Sequence, residues 1–195
     1  LDDRATRGQV DLPRLQDGNV ALQVFSSVTK TPKGQNYDSN GADTDNITLL
    51  AIGQLQPVRT WSSLLERSLW HAEKLRRAEA ASGCELRIIR SAADIDRLLS
   101  DRATSGSCAH ENGSATSSVV KPVGALLSVE GAQNLEGTAA NLDVLYAAGF
   151  RMIGLAHFFD NELAGSMHGL RKGGLTPFGA QIVAAMERKG MIVDL

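Results

Sequence analysis

Apolar residues in this chain fall into short runs of strand length that alternate with stretches of helical periodicity. The clearest runs are residues 124–129 and 150–156, and a helix is predicted between them over residues 138–148, with Gly149 as its stop. Two consecutive apolar strands joined by a helix run parallel, and the crossover brings their carboxyl ends to one edge of the sheet. The pattern therefore predicts an α/β fold with parallel strands and outer helices.

The first half of the chain predicts two more strands and two more helices. Residues 20–28 are a mostly apolar run with β-branched residues, which predicts a strand covered on both faces. Residues 84–90 alternate apolar and charged positions, as a half-buried strand does. Helical periodicity predicts one helix from an N-cap at Thr60 through residue 81, and another that begins at Ser91.

The last segment repeats the unit of helix and strand. Thr176 and Pro177 predict the start of a helix, and Gly190 predicts its end. Residues 191–195 then predict a strand with no covering element after it. We therefore expect the domain to continue beyond this sequence.

Two polar segments interrupt the pattern within the single domain expected over residues 1–195. Residues 29–47 follow a predicted strand, which places them over the same crevice as a lid or substrate wall, with a solvated insertion as the alternative. Residues 101–120 are rich in Ser, Gly, Thr and Ala, and this composition predicts a flexible insertion.

The amino-acid composition indicates which kinds of molecule the protein is expected to bind. The chain has 195 residues, of which 43% are hydrophobic and 22% charged, as in a globular domain with a sizeable core. A net charge of -2 gives no electrostatic footprint for nucleic acid or an anionic membrane. No apolar run of about 18 residues is present, so no transmembrane segment is expected. These features favour a small-molecule substrate.

The two cysteines leave a question open. Cys84 and Cys108 are too few and too far apart in the sequence to form a zinc knuckle. A disulfide between them is an alternative that the sequence does not decide, because it gives no Cα separation.

Two reactive side chains stand where the strands at 124–129 and 150–156 end. Glu130 and His157 would therefore face one crevice, at the edge of a parallel sheet where chemistry is usually done. An ionised carboxylate at the end of an apolar strand is unfavourable in free energy unless a cation or hydrogen-bond donors compensate its charge. A metal ion would provide that compensation. A neutral imidazole can bind a metal or a carbonyl, or move a proton. A salt bridge or helix cap for Glu130 and a core position for His157 are the structural alternatives.

The loop after His157 adds candidates for substrate contact, namely Asp160, Asn161, Glu162 and His168. A competing site lies at residues 169–176, where glycines and two cations precede a helix and could hold a phosphate or carboxylate. His71 and His110 lack a second ligand at helical spacing, and we interpret them as structural or exposed.

Three longer segments have a distinctive order of residues, namely SVEG at 128–131, AGFRMIGLAHFFDN at 148–161 and GGLTPFGAQIVAAMERKGMIVDL at 173–195. They resemble segments of the membrane (renal-type) dipeptidases, zinc metallopeptidases of the amidohydrolase-like barrel superfamily. Residues 9–38 are similar to the segment after the first barrel strand in bacterial members, so the similarity covers most of the chain except 101–120. The resemblance implies a partial (β/α)8 barrel, roughly the second to fifth of eight strand units.

The resemblance also implies a binuclear zinc site that hydrolyses the peptide bond of small dipeptides. Glu130 matches the glutamate that bridges the two zinc ions. His157 matches the histidine that binds the substrate, either by polarising the scissile carbonyl or by holding the tetrahedral intermediate. A homodimer of the intact parent is compatible with the resemblance.

The sequence departs from the family pattern in the remaining ligands. No His-x-Asp pair, which the family carries on the first barrel strand, occurs in the chain. The chain stops at Leu195, before the positions of the later zinc ligands and of the arginine that binds the substrate carboxylate. We therefore expect the chain alone to be inactive, as an internal fragment of a dipeptidase. The alternatives are an anion-binding module built on residues 169–176 and a functionless gene fragment.

Overall fold

A computed structural model describes residues 4–6, 8–104 and 121–195 of the chain. Strands and helices alternate along most of it, and a short 3-10 turn follows the third strand. The helices are α1 (Leu12–Asp17), α2 (Ile47–Gly53), α3 (Arg59–Ser62), α4 (Leu64–Ala81), α5 (Ala92–Ala103), α6 (Ala140–Ala148) and α7 (Pro177–Arg188). The strands are β1 (Leu22–Val28), β2 (Leu86–Ile88), β3 (Val123–Glu130), β4 (Phe150–Gly154) and β5 (Ile192–Asp194).

The described residues group into two compact units. Unit 1 comprises those of Leu1–Phe25 and Glu73–Leu126, and unit 2 comprises Ser26–Ala72 and Leu127–Leu195. Along the sequence, the boundaries between the two units fall within β1, α4 and β3.

Unit 1 is built around the first half of β3. This half pairs in parallel with β2, with Leu86 opposite Val123 and Ile88 opposite Ala125. The four side chains are at most 4% exposed, so this pairing lies in the core of the unit. Helix α5 begins as predicted, because the Ser91 side chain accepts a hydrogen bond from the Asp94 backbone N–H and caps it.

Unit 2 contains two further strand pairs. The second half of β3 pairs with β4, and β4 pairs with β5, both in parallel. As the glycine pattern predicted, α6 ends at Gly149, whose φ of 106° is left-handed. The predicted cap of α7 is also present, since the Thr176 side chain accepts from the Gly179 N–H. The carboxyl ends of β3, β4 and β5 therefore share one edge, which confirms the predicted parallel α/β class.

Two predictions about these elements were wrong. Strand β1 is not covered on both faces, because Leu22 and Val24 point to solvent and are 40% and 39% exposed. The helix predicted from Thr60 is broken at Ser63, whose backbone is extended. Thr60 lies inside the one-turn α3 and donates its hydroxyl to the Pro57 carbonyl. The residue that caps α4 is Ser63, whose hydroxyl accepts from the Glu66 N–H at 3.2 Å.

The first residues of the predicted insertion are helical. Residues 101–103 form the last turn of α5. Residues 105–120, with Cys108 and His110, lie outside the described residues, and so does a pairing of Cys84 with Cys108. Among the described residues, no helix is long and apolar enough to cross a membrane.

The first turn of α7 depends on glycine at position 179. A Cβ there would lie 2.1 Å from the Leu163 carbonyl oxygen, which belongs to the backbone and cannot rotate aside. We predict that Gly179→Ala lowers the free energy of unfolding by about 1–3 kcal/mol, measured by urea denaturation followed by circular dichroism. Gly53→Ala is the matched control, because a Cβ at Gly53 meets no described heavy atom within 4 Å. Equal unfolding midpoints for the two variants would show that this contact is unimportant.

The start of α5 predicts an acid-sensitive contribution to stability. Burial opposes ionisation of Asp94, but hydrogen bonds from the Arg90 N–H, the Ser91 hydroxyl and the Arg97 guanidinium lower its pKa to about 2. A lowered folded-state pKa stabilises the fold at a pH above the ordinary value of 3.8, and this contribution is lost as the pH falls towards 2. Asp94→Asn should therefore unfold more easily than wild type at pH 7. In pH-dependent urea denaturation the difference should shrink between pH 4 and 2, whereas a constant difference would contradict the assignment.

Candidate active site at the carboxyl ends of the strands

The parallel pairing in unit 2 brings Glu130 and His157 together, as the strand pattern predicted. Glu130 is the last residue of β3, and His157 follows β4. The Nε2 atom of His157 lies 3.2 Å from the Oε2 atom of Glu130. The two side chains are 41% and 34% exposed, so His157 is not a core histidine and both groups are accessible to a ligand.

A cavity of about 270 Å³ surrounds this pair. It is lined by Glu130, Gly131, Gly154, Ala156, His157, Asp194 and Leu195. Asp194 ends β5 and lies opposite Gly154 of β4, so a third strand contributes a carboxylate to the same cavity. Sequence reasoning missed Asp194, although its place at the end of a parallel strand was a usable signal.

The turn after Glu130 requires glycine. Gly131 has φ of 80° and ψ of 117°, and a Cβ there would lie 2.3 Å from the Oε1 atom of Gln133. The buried Gln133 amide nitrogen lies 3.4 Å from the Thr29 hydroxyl, and its Oε1 lies 3.5 Å from the Asn161 amide nitrogen. Gln133 therefore lies between the segments that follow β1 and β4.

Asn161 closes the loop after β4. Its side-chain amide donates to the Leu155 carbonyl oxygen at 2.7 Å. Its Oδ1 accepts from the backbone N–H groups of Leu163 and Ala164 at 2.9 and 3.1 Å. The side chain is thus used within the protein, and its contact with substrate stays a prediction.

Asp160 is held by the glycine-rich segment that follows it. Its carboxylate accepts from the N–H of Ser166 at 2.9 Å and of Arg171 at 2.6 Å. Burial opposes ionisation, but these two backbone N–H groups and that of Lys172 hold the Asp160 pKa below its usual range. The amides that the anion-binding hypothesis assigned to an outside ligand therefore already bind a carboxylate of the protein.

The segment from residue 29 to 47 is anchored by the buried Arg67 of α4. Arg67 is 1% exposed. It donates to the carbonyl oxygens of Thr29, Thr60 and Trp61, to the Thr48 hydroxyl and to the Asp45 carboxylate. Burial would raise the Asp45 pKa, but hydrogen bonds from Arg67 and Thr48 lower it below its usual range. Sequence reasoning missed Arg67, because a charged residue on a helix normally faces solvent.

The middle of the same segment contacts the loop after β4. The backbone N–H of Asn40 donates to the His168 carbonyl oxygen at 2.7 Å, and its side-chain amide donates there at 3.1 Å. The Nδ1 atom of His168 lies 2.7 Å from the Tyr37 carbonyl oxygen. Both segments line a larger cavity of about 550 Å³, which Glu162 also lines. These contacts favour the substrate-wall interpretation of residues 29–47 over a solvated insertion.

The remaining described histidine is His71 of α4. Its Nδ1 atom is 2.7 Å from the Ser27 hydroxyl, which agrees with a structural role. Within residues 4–6, 8–104 and 121–195, no three His, Cys, Asp or Glu side chains are grouped closely enough to hold a metal ion. Glu130 and His157 have ligand chemistry, but the described part of the chain does not complete a metal site by itself.

The sequence is similar to a known protein family and to individual proteins. A family model described as membrane dipeptidase (peptidase family M19) matches residues 2–195. An uncharacterized dipeptidase of Schizosaccharomyces pombe, C3A11.10c, is 39% identical over 190 residues, which are 96% of this chain and 38% of that protein. Dipeptidase aclJ of Aspergillus oryzae is 41% identical over 75 residues, 37% of this chain and 18% of that protein.

Solved structures share the fold. A metallo peptidase from Rhodobacter sphaeroides, bound to a phosphinate mimic of L-Ala-D-Ala, matches with a TM-score of 0.67 at 19% identity, over 98% of this chain and 50% of that one. The probable dipeptidase PvdM from Pseudomonas aeruginosa matches with a TM-score of 0.68 at 18% identity, over 100% of this chain and 41% of that one. The chain thus spans half or less of each of these four relatives. The similarity confirms the predicted partial barrel.

The anchor of the 29–47 segment gives a prediction. Arg67→Met would leave the Asp45 carboxylate, 16% exposed, without its cation and several carbonyl oxygens without donors. We predict a loss of about 3–5 kcal/mol in the free energy of unfolding, measured by urea denaturation. The control is Arg77→Met on the same helix, whose pair with Glu73 is exposed and should contribute about 0.5 kcal/mol or less. Similar losses in both variants would mean that Arg67 is not the anchor.

Proposed function

This chain belongs to the membrane dipeptidase family, and from this premise we propose that it supplies part of the active site of a zinc-dependent dipeptidase. The observation that carries the proposal is the approach of Glu130 and His157 to 3.2 Å at the carboxyl edge of the parallel strands. Both residues lie within the segment that the family model matches.

We assign Glu130 to the metal. Family membership implies a metal cofactor, and we propose two zinc ions with Glu130 between them. A carboxylate has two oxygens and can bind one cation through each, which would compensate its charge at the end of an apolar strand. When bound, paired zinc ions supply the Lewis acidity that activates water and polarises the scissile carbonyl. The further ligands must come from outside the described residues.

We assign His157 to the substrate. Its imidazole lines the cavity beside Glu130 and is 41% exposed, so a substrate oxygen can reach it. An N–H directed at the scissile carbonyl oxygen would stabilise the negative charge that develops there during attack. Asp160 would act indirectly, since its carboxylate accepts hydrogen bonds from the backbone of its own loop.

The proposed substrate is a small dipeptide. The cavity of about 270 Å³ is of a size that suits one. The Rhodobacter sphaeroides relative binds a mimic of L-Ala-D-Ala, which makes that dipeptide the first substrate to test. An anion-binding module at residues 169–176 is the weaker candidate, because Asp160 occupies backbone donors of that turn.

The length of the chain limits what it can do alone. It covers 38% of the fission yeast relative and 50% of the Rhodobacter sphaeroides structure. With Asp194, which lines the same cavity, Glu130 and His157 supply two carboxylates and one imidazole, fewer protein groups than two zinc ions use. We therefore expect the 195-residue chain to be inactive without further sequence.

The test is zinc content by elemental analysis together with L-Ala-D-Ala hydrolysis. We would compare the chain as given with a longer protein that carries flanking family sequence at both ends. We predict about two zinc ions and turnover for the longer protein only. In that protein Glu130→Gln should lower kcat at least about 100-fold and reduce the zinc content. Glu187→Gln, on the exposed side of α7, is the matched control and should change neither.

Two results would contradict the proposal. If the chain as given holds two zinc ions and cleaves the dipeptide, the site is complete without further sequence and other residues, such as His110 or His168, must be ligands. If Glu130→Gln in the longer protein keeps both zinc and turnover, Glu130 does not have the assigned role.

A further inference from the structure

The backbone of His157 is held by a serine nine residues further along the chain. The hydroxyl of Ser166 donates to the His157 carbonyl oxygen. The imidazole itself is partly exposed, and its described side-chain contacts are with Glu130 and the edge of the Phe158 ring. The direction of the imidazole therefore depends strongly on where the backbone at residue 157 is fixed.

Ser166 has one possible orientation in this structure because all its polar groups are engaged. It is 4% exposed. Its N–H donates to Asp160 at 2.9 Å, its hydroxyl oxygen accepts from the His168 N–H at 3.0 Å, and its carbonyl accepts from the Gly169 N–H at 3.0 Å. A buried hydroxyl with these partners acts as a fixed link between the backbone at residue 157 and that at residues 166–168.

Close backbone packing fixes Ser166 further. A Cβ at Gly165 would lie 2.0 Å from the Gly173 carbonyl oxygen, and a Cβ at Gly169 would lie 2.0 Å from the Asp160 carboxylate. Gly165 and Gly169, which flank Ser166, therefore have no room for a side chain, because other parts of the same loop pack against them. Asn40 joins this loop to residues 29–47 through its two hydrogen bonds to the His168 carbonyl oxygen.

We propose that Ser166 is a positioning residue, which sets the imidazole of His157 against Glu130 through the hydrogen bond to the His157 carbonyl. The catalytic consequence rests on the proposed function, but the structural effect does not. Removal of the hydroxyl leaves the His157 carbonyl without this donor and frees the backbone to move, and a misplacement of about 1 Å can cost up to about 100-fold in rate. The loss should fall on kcat, because binding groups elsewhere are unchanged.

The experiment compares Ser166→Ala, Ser166→Thr and the control Ser100→Ala, which removes an exposed hydroxyl on α5. In the chain as given, labelled with ¹⁵N-histidine, the His157 imidazole resonances are assigned by their loss in His157→Gln. We expect Ser166→Ala to shift or broaden these resonances while those of His71 stay in place. Ser166→Thr keeps the hydroxyl and should restore them.

The kinetic arm uses the longer protein with zinc and L-Ala-D-Ala. We expect Ser166→Ala to lower kcat about 10- to 100-fold with KM changed less than about threefold, and Ser166→Thr to recover most of the loss. If Ser166→Ala loses its cooperative melting transition, Ser166→Cys takes its place, because a thiol keeps the volume but donates weakly.

The two arms separate the two claims. Absence of turnover in the wild-type longer protein would refute the proposed function, whereas the imidazole resonances would still decide the role of Ser166. A folded Ser166→Ala protein with unchanged His157 resonances and the kcat of Ser100→Ala would overturn the positioning role. Equal losses in the alanine and threonine variants, without a change in the resonances, would also overturn it.

Discussion

The parallel pairing of β3, β4 and β5 is the constraint on which the candidate site depends. Parallel strands end at the same edge, so residues that are far apart in sequence become neighbours there without any special local motif. Glu130, His157 and Asp194 line one cavity for this reason. A shift of one residue in the register of a strand would turn all of its side chains to the other face of the sheet and separate these groups.

The loops above this edge are held by polar groups in addition to buried apolar side chains such as Phe159 and Leu163. Arg67 fixes the segment after β1, Asn161 closes the loop after β4, and Asp160 with Ser166 holds the glycine-rich turn. Each of these side chains is buried or engaged with backbone groups, and a buried polar group without partners would cost about 1–3 kcal/mol. The same hydrogen bonds therefore restrict the conformations that these loops can adopt.

Sequence reasoning located the features that depend on local chemistry. The caps at Ser91 and Thr176 and the helix stop at Gly149 follow from residues within one turn of the element, and all three are present. The meeting of Glu130 and His157 followed from topology alone. Sequence reasoning missed what distant contacts decide, as for the burial of Arg67. The broken helix at Ser63 belongs to the same class, because Glu136, 73 residues away, accepts hydrogen bonds from Ser63 and the first N–H groups of α4.

The central claim is that Glu130 and His157 act on the same reacting group. A double-mutant cycle tests it most directly, with kcat/KM for L-Ala-D-Ala measured in the longer protein at one fixed zinc concentration for Glu130→Gln, His157→Gln and both together. Residues that act as a unit give strongly non-additive losses, so we predict that the double variant is less active than the worse single variant by no more than about tenfold. A double variant whose loss equals the product of the two single losses would show that the residues act independently, and would contradict the shared site.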